Sequence, residues 1–369
     1  MNFEDVRDLF LELVQIDSPS FYEKAMADRC RELLEQLGCT VTEDDAGKRL
    51  QGEQGNLIAT LPGNLDRTPV LLAAHMDTVQ PGIGVMPQID DSGVVRSSGD
   101  TVLGADDKAG VTAIVSALRE IVQNGRDHGP IQIVLTVCEE QGLQGSKQLE
   151  ASQLNARLGL SLDSGDAPGT LIVAGPTQVK WQAEFRGKSA HAGVAPEKGV
   201  SAIKVASQAV AKMPHGRLDK GTTVNVGSFV GDGPTNVVRD KVTLLGEARG
   251  LNTDSLNSVI AQIEETFANT AAKAHAEVSF EHKVMYDGFR FEETDAVRQM
   301  AEKAIANAGL QVHAVERGGG SDANIYTALG VPTINIAVGY EDIHSTKEHV
   351  SVHDIMKAAN VIIEFLDLA

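Results

Sequence analysis

Five short runs, 56–61, 69–74, 131–138, 158–162 and 333–338, are apolar with few interruptions, and several lack the polar alternation of a strand with one wet face. Continuous apolar strands belong to sheets covered on both sides, the usual setting of parallel strands joined by crossover helices. Helical patterns separate many of these runs. The stretch 107–124 begins with acidic residues, which the positive end of a helix favours, and stops before Gly125; 294–308 and 353–367 carry surface-helix periodicity. Two amphipathic patterns, 3–15 and 21–37, open the chain. The expected fold class is α/β: a mostly parallel mixed sheet with helices on both faces.

Between 175 and 287 the rhythm changes to strand 178–186, helix 199–213, strands 222–230 and 237–249, helix 253–274 and strand 276–285. This βαββαβ order is that of the ferredoxin-like split motif, an α+β unit with one antiparallel sheet. A chain of 369 residues also exceeds the usual size of one core. The reading is therefore an inserted domain, 175–287, within a domain built from 1–174 and 288–369.

The ends of the apolar runs carry the chemistry. His75 and Asp77 follow 69–74, Glu139 and Glu140 follow 131–138, Asp163 follows 158–162, and His344 follows 333–338 by a short loop. Asp106 lies in the loop Gly104-Ala105-Asp106-Asp107-Lys108, just before a helix. In open α/β sheets the carboxyl ends of strands line the ligand crevice, so residues distant in sequence converge there. A His-x-Asp or a Glu-Glu pair alone signifies little; five such positions together are another matter. A carboxylate doublet at the mouth of a buried strand is costly without a cation. Imidazole with carboxylate, and no cysteine, suits zinc, or manganese or cobalt, better than calcium or magnesium. Two ions bridged by one carboxylate and one water employ all the ligands, and a further carboxylate is then free to serve as the base.

Composition narrows the setting. No apolar run approaches the ~20 residues of a membrane helix, and the N-terminal segment has acidic residues where a secretory signal has basic ones. Three cysteines, Cys30, Cys39 and Cys138, form no C-x-x-C pair, so a reducing cytoplasm is expected. The formal net charge of −19 disfavours nucleic acid as a partner, and no membrane association is expected. Gly187-Lys188-Ser189 imitates the end of a phosphate-binding loop, but Gln182 stands where its first glycine belongs; no Gly-x-Ser-x-Gly elbow occurs either.

In order along the chain, Ala74-His75-Met76-Asp77-Thr78-Val79, Gly104 to Gly110, Glu139-Glu140, Leu162-Asp163 and Ile343-His344-Ser345 resemble the dinuclear zinc exopeptidase family that includes peptidase T and succinyl-diaminopimelate desuccinylase. The resemblance spans nearly the whole chain and looks closest to the peptidase T branch. It implies that His75, Asp163 and bridging Asp106 hold one zinc, and Glu140, His344 and the same Asp106 the other. It implies that Asp77 accepts the free ring N–H of His75, that Glu139 is the general base and acid, and that the Asp106–Asp107 peptide is cis. In the inserted domain it implies that His191, of Ser189-Ala190-His191-Ala192-Gly193, stabilises the oxyanion, often in the partner subunit's site. Asn236 and Arg249 match contacts to the substrate backbone or carboxylate, and Gly318-Gly319-Gly320-Ser321-Asp322 resembles a substrate loop in which Gly319 and Gly320 let backbone N–H groups approach a ligand.

The expected function is hydrolysis of a terminal amide bond in short peptides, with tripeptide aminopeptidase activity favoured by the resemblance. The same metal set also serves N-acyl amino acid deacylases, carboxypeptidases and dipeptidases. A catalytically silent scaffold is the reading from another class, and intact Glu139 speaks against it. A homodimer through the inserted lid domain is a further expectation from the resemblance.

Overall fold

The computed structural model describes residues 1–369, and contact density divides them into two compact units. The first is Met1–Val173, Arg290–Glu316 and Ser321–Ala369; the second is Ala174–Phe289 with Arg317–Gly320. The glycine-rich segment Arg317–Gly320 thus belongs with the second unit, outside the 175–287 span expected for the insert.

In the first unit the continuous apolar runs become the middle of a nine-stranded sheet. Ile131–Thr136, Val70–His75, Leu158–Ser161 and Thr333–Ile336 lie side by side and run parallel. All residues of Val70–His75 and Ile131–Thr136 are buried, as strands covered on both faces require. Antiparallel neighbours, Leu57–Leu61 on one side and Thr170–Gly175 on the other, make the sheet mixed. Because the four central strands share one direction, everything that follows their last residues emerges at one end of the sheet. The long helix Ala105–Gln123 is buried for most of its length, and Val352–Leu368 packs against it.

Several boundaries differ from expectation. The strand expected over 131–138 ends at Thr136, because Cys138 takes a left-handed turn with φ +51 that no strand tolerates. The helix begins at Ala105 rather than 107, yet Asp106 and Asp107 inside it have non-helical backbone and the peptide between them is cis, so Asp106 sits in a kink. Thr170–Gly175 is a strand that the reading of apolar runs omitted; it leads directly into Thr177–Arg186, so one long apolar stretch supplies strands to two different sheets. A three-stranded sheet of Pro87–Ile89, Val94–Ser97 and His349–Ser351 was also omitted, its strands being too short and too polar to show a period.

The second unit follows the βαββαβ order: Thr177–Arg186, Ala202–Val210, Thr222–Val230, Lys241–Gly250, Thr253–Lys273 and Glu277–Tyr286. Its antiparallel sheet places these strands in the order second, third, first, fourth, with the two-residue strand Gly216–Arg217 at one edge. Alternate residues Val179, Trp181, Ala183 and Phe185 face the two helices, where Phe267 meets Trp181 and Phe185 edge-on at 5.8 and 5.3 Å between ring centroids. No helix in either unit is long and apolar enough to cross a membrane.

Candidate metal centre

The carboxyl end of the parallel strands gathers the side chains singled out above. His75 is the last residue of its strand and is 2% exposed. Its Nδ1 lies 2.9 Å from the Asp77 carbonyl oxygen, an atom that can only accept, so Nδ1 carries a proton and Nε2 is the nitrogen left to face a metal ion. That Nε2 points at Asp106 Oδ1, 3.1 Å away, with Asp163 Oδ1 at 4.0 Å. His344 reaches the other side of Asp106: its Nε2 is 3.4 Å from Asp106 Oδ2 and 3.0 Å from Glu140 Oε1. Asp106 therefore offers one oxygen to each imidazole. Three groups have ligand atoms within 4.8 Å of one another: His75, Asp106 and Asp163; Asp106, Glu140 and His344; and His75, Glu139 and Glu140.

The acceptor nearest to the His75 ring N–H is the Asp77 carbonyl; the Asp77 carboxylate is farther, at 3.4 Å. The carboxylate is engaged elsewhere. It accepts the Glu139 N–H at 2.9 Å, the Glu140 N–H at 3.2 Å and the Ser20 hydroxyl at 2.7 Å. Asp77 thereby fixes the backbone of the glutamate pair as well as the tautomer of His75. Asp163 is held by Asn335, whose side chain accepts the Asp163 N–H at 3.0 Å and donates to its carbonyl at 2.5 Å, and by the Tyr340 hydroxyl, which donates to Oδ1 at 3.1 Å. Asp107, fully buried, accepts the His75 N–H at 3.2 Å. Asp322 accepts the Thr136 and Ser146 hydroxyls at 2.5 Å each.

Charge is the central physical problem of this cluster. Burial, then the Asp106 charge, pushes Asp163 up to about 7, and burial raises Glu140 and, with Asp163 beside it, Glu139 far more. Burial opposes the charge of His75, but the Asp106 and Asp77 contacts outweigh it and raise its pKa; the Asp106 and Glu140 contacts lift His344 to about 10. Burial would raise Asp106 as well, yet the two imidazoles hold it below the ordinary carboxylate range. Two imidazolium ions cannot neutralise Asp106, Glu139, Glu140 and Asp163 together. Divalent cations can, and the mixture of imidazole and carboxylate donors fits zinc, manganese or cobalt.

Three buried polar groups next to the cluster escaped the reading of motifs. Asn335 is the polar interruption of an apolar strand, and Glu348 follows His344 by four residues; both were visible but carried no pattern. Glu23 is fully buried; its Oε1 accepts the N–H groups of Phe21 and Cys138 at 2.9 and 3.0 Å and the Cys138 thiol at 3.3 Å, while Oε2 has no protein partner. Burial, with the Asp77 charge adding to it, lifts its pKa from 4.5 to about 7. The folded state thus binds this proton more tightly than the unfolded chain. Its stabilising effect is complete below about pH 4.5 and is lost as pH rises through about 7. In the metal-free protein, the stability of Glu23→Gln relative to wild type is expected to rise by about 3 kcal/mol between pH 4.5 and 8. Urea unfolding across that range measures it, and parallel curves for the two proteins would contradict the assignment.

The remaining candidates lie in the second unit. His191 and Asn236 are brought side by side, since Ala192 donates its N–H to the Asn236 carbonyl at 2.8 Å and His191 bridges to Val237. Arg249 bonds Glu247 at 3.0 Å and the Gly318 carbonyl at 3.3 Å, so it sits against the glycine-rich loop. A Cβ at Gly320 would fall 2.3 Å from the Tyr286 hydroxyl, so a larger residue there requires that ring to move; around Gly319 the space is open.

Comparison with known proteins places this architecture. The chain is 41% identical over 369 residues to the uncharacterized protein YqjE of Bacillus subtilis, covering 100% of this chain and 99% of the other. The crystal structure of aminopeptidase PepT from Bacillus cereus superposes with a TM-score of 0.94 at 42% identity, covering 100% and 98% of the two chains. A tripeptidase from Staphylococcus aureus superposes with a TM-score of 0.96 at 36% identity, again over 100% and 98%. The model of peptidase family M20/M25/M40 matches residues 71–368, which include all five convergent ligand candidates and Glu139. The chain therefore belongs to peptidase family M20/M25/M40, and it is a hydrolase.

Proposed function

We propose that the protein is a two-metal aminopeptidase of the peptidase T kind, releasing the N-terminal residue of short peptides, tripeptides above all. The observation that supports this most is that two of the three convergent groups share Asp106, use all five ligands and leave out Glu139, which lies beside them within reach of His75 and Glu140. Similarity to an aminopeptidase and a tripeptidase over essentially the whole chain supports the choice of substrate.

In this reading His75, Asp106 and Asp163 would hold one ion, and Asp106, Glu140 and His344 the other, zinc suiting the donors best. Bound there, two such ions would supply polarisation of the scissile carbonyl and a more acidic attacking water. Glu139 would take the proton from the attacking water and pass it to the departing amine, a role that requires its buried carboxylate to be ionised first. Asp77 keeps Glu139 in place through the N–H contact and fixes the His75 tautomer. His191 and Asn236 serve the developing oxyanion and the peptide backbone, and Arg249 with Gly319 and Gly320 receives the peptide carboxylate. The second unit pairs with that of another copy through the long edge strand Glu277–Tyr286, giving a homodimer.

Cleavage of a panel of di-, tri- and N-acyl substrates, followed by mass spectrometry, tests the reading. Tripeptides with free N-termini are expected to lose their first residue, chelator treatment to abolish this, and zinc, manganese or cobalt to restore it. Cleavage confined to substrates with blocked N-termini would instead assign the protein to deacylation. Light scattering of the eluted protein is expected to give the mass of two chains.

A further inference from the structure

Four residues beyond His344 the chain buries a carboxylate that the proposed chemistry does not use. Glu348 is 2% exposed; its Oε2 accepts the Gly104 N–H at 2.8 Å and its Oε1 the Asp106 N–H at 2.9 Å. Gly104 has φ +76 and Asp106 is non-helical, so these donors stand in a kink where neither helix nor strand takes them up. Burying a carboxylate costs several kcal/mol or more, and charge-assisted bonds to two N–H groups, with the buried Lys108 close enough to feel Glu348, offset part of that cost.

The segment that carries Glu348 is itself fixed. Glu341 and His349 exchange backbone hydrogen bonds of 2.8 and 3.1 Å, closing the neck of the loop from which His344 projects, and His349–Ser351 is the strand paired with Val94–Ser97. Glu348 therefore stands at that neck with both oxygens on the Asp106 turn.

We propose that Glu348 is a positioning residue that locks the Asp106 kink to the neck of the His344 loop, so that these two ligands are in register before an ion arrives. The inference rests on the two-ion reading above. It predicts that the ion shared by Asp106, Glu140 and His344 depends on Glu348 more than the ion beside His75 and Asp163 does.

Glu348→Gln is nearly isosteric but turns an amide N–H₂ against one of the two N–H donors; Glu348→Asp keeps the charge but is one methylene too short to span both. Zinc titration of the full-length, metal-stripped chain against a chromophoric chelator reads the affinities. Wild type is expected to bind two ions, and each variant to bind one of them about 10–100-fold more weakly, with circular dichroism unchanged and with turnover recovering in excess zinc. Wild-type affinity for both ions in Glu348→Gln would overturn the proposal, as would equal loss of both ions with a matching fall in melting temperature, which would make the role one of general stability. Wild type failing to bind two ions would overturn the two-ion reading itself. Amide exchange in metal-free wild type needs no variant: slow exchange at Gly104 and Asp106 supports the clamp, and rapid exchange at both sinks it.

Discussion

Replacing Glu139 by Gln is expected to leave about two metal ions on each chain and to lower kcat by about 10²–10⁴-fold, the usual contribution of a general base. The side chains are nearly isosteric, and the backbone at 139 is held by its N–H bond to Asp77, which the substitution leaves intact. Two complete ligand sets exist without Glu139, so ion content should not change. KM should change little, because the proton transfer matters in the transition state rather than in binding. Metal analysis beside steady-state kinetics checks both halves. Geometry also groups Glu139 with His75 and Glu140; if Glu139 were a ligand, ion content would fall together with turnover. A fully active variant would remove Glu139 from the chemistry altogether.

Asp106→Asn should be more damaging still. Asp106 presents a separate oxygen to each imidazole, Oδ1 toward His75 and Oδ2 toward His344. An amide offers a single neutral oxygen and so cannot serve two ions. Ion content is expected to drop from two to one or none, and activity by at least about 10³-fold, beyond the 10–100-fold of changes to groups behind the ligands. Replacing Asp163 should instead weaken chiefly one ion. If Asp106→Asn kept both ions at wild-type affinity, the shared-ligand arrangement would be wrong.

What could be read from residues alone, and what could not, follows from the range of each physical signal. The central strands were legible because burial on both faces writes a continuous apolar run, and His75, Glu139, Glu140 and Asp163 stood out because a charged group at the end of such a run is costly. The βαββαβ unit was legible because its long strands alternate, as Val179, Trp181, Ala183 and Phe185 show. Short pieces were not: His349–Ser351 has only three residues and takes its place from pairing with Val94–Ser97. Thr170–Gly175 merged with the strand that follows it. Nor were the groups behind the ligands legible. Glu23, Asn335 and Glu348 each reach the site through hydrogen bonds to residues from 115 to 244 positions away, and no local pattern encodes such a contact. The nearer acceptor of the His75 ring, the Asp77 carbonyl, is likewise a matter of backbone geometry that residue types cannot reveal.

The proposed chemistry requires two divalent ions that share Asp106. Anomalous diffraction from zinc-loaded crystals measures this directly. It is predicted to show two peaks per chain, one flanked by His75 and Asp163 and the other by Glu140 and His344, with an Asp106 oxygen toward each and Glu139 bound to neither. A single peak, or one coordinated by Glu139, would contradict it.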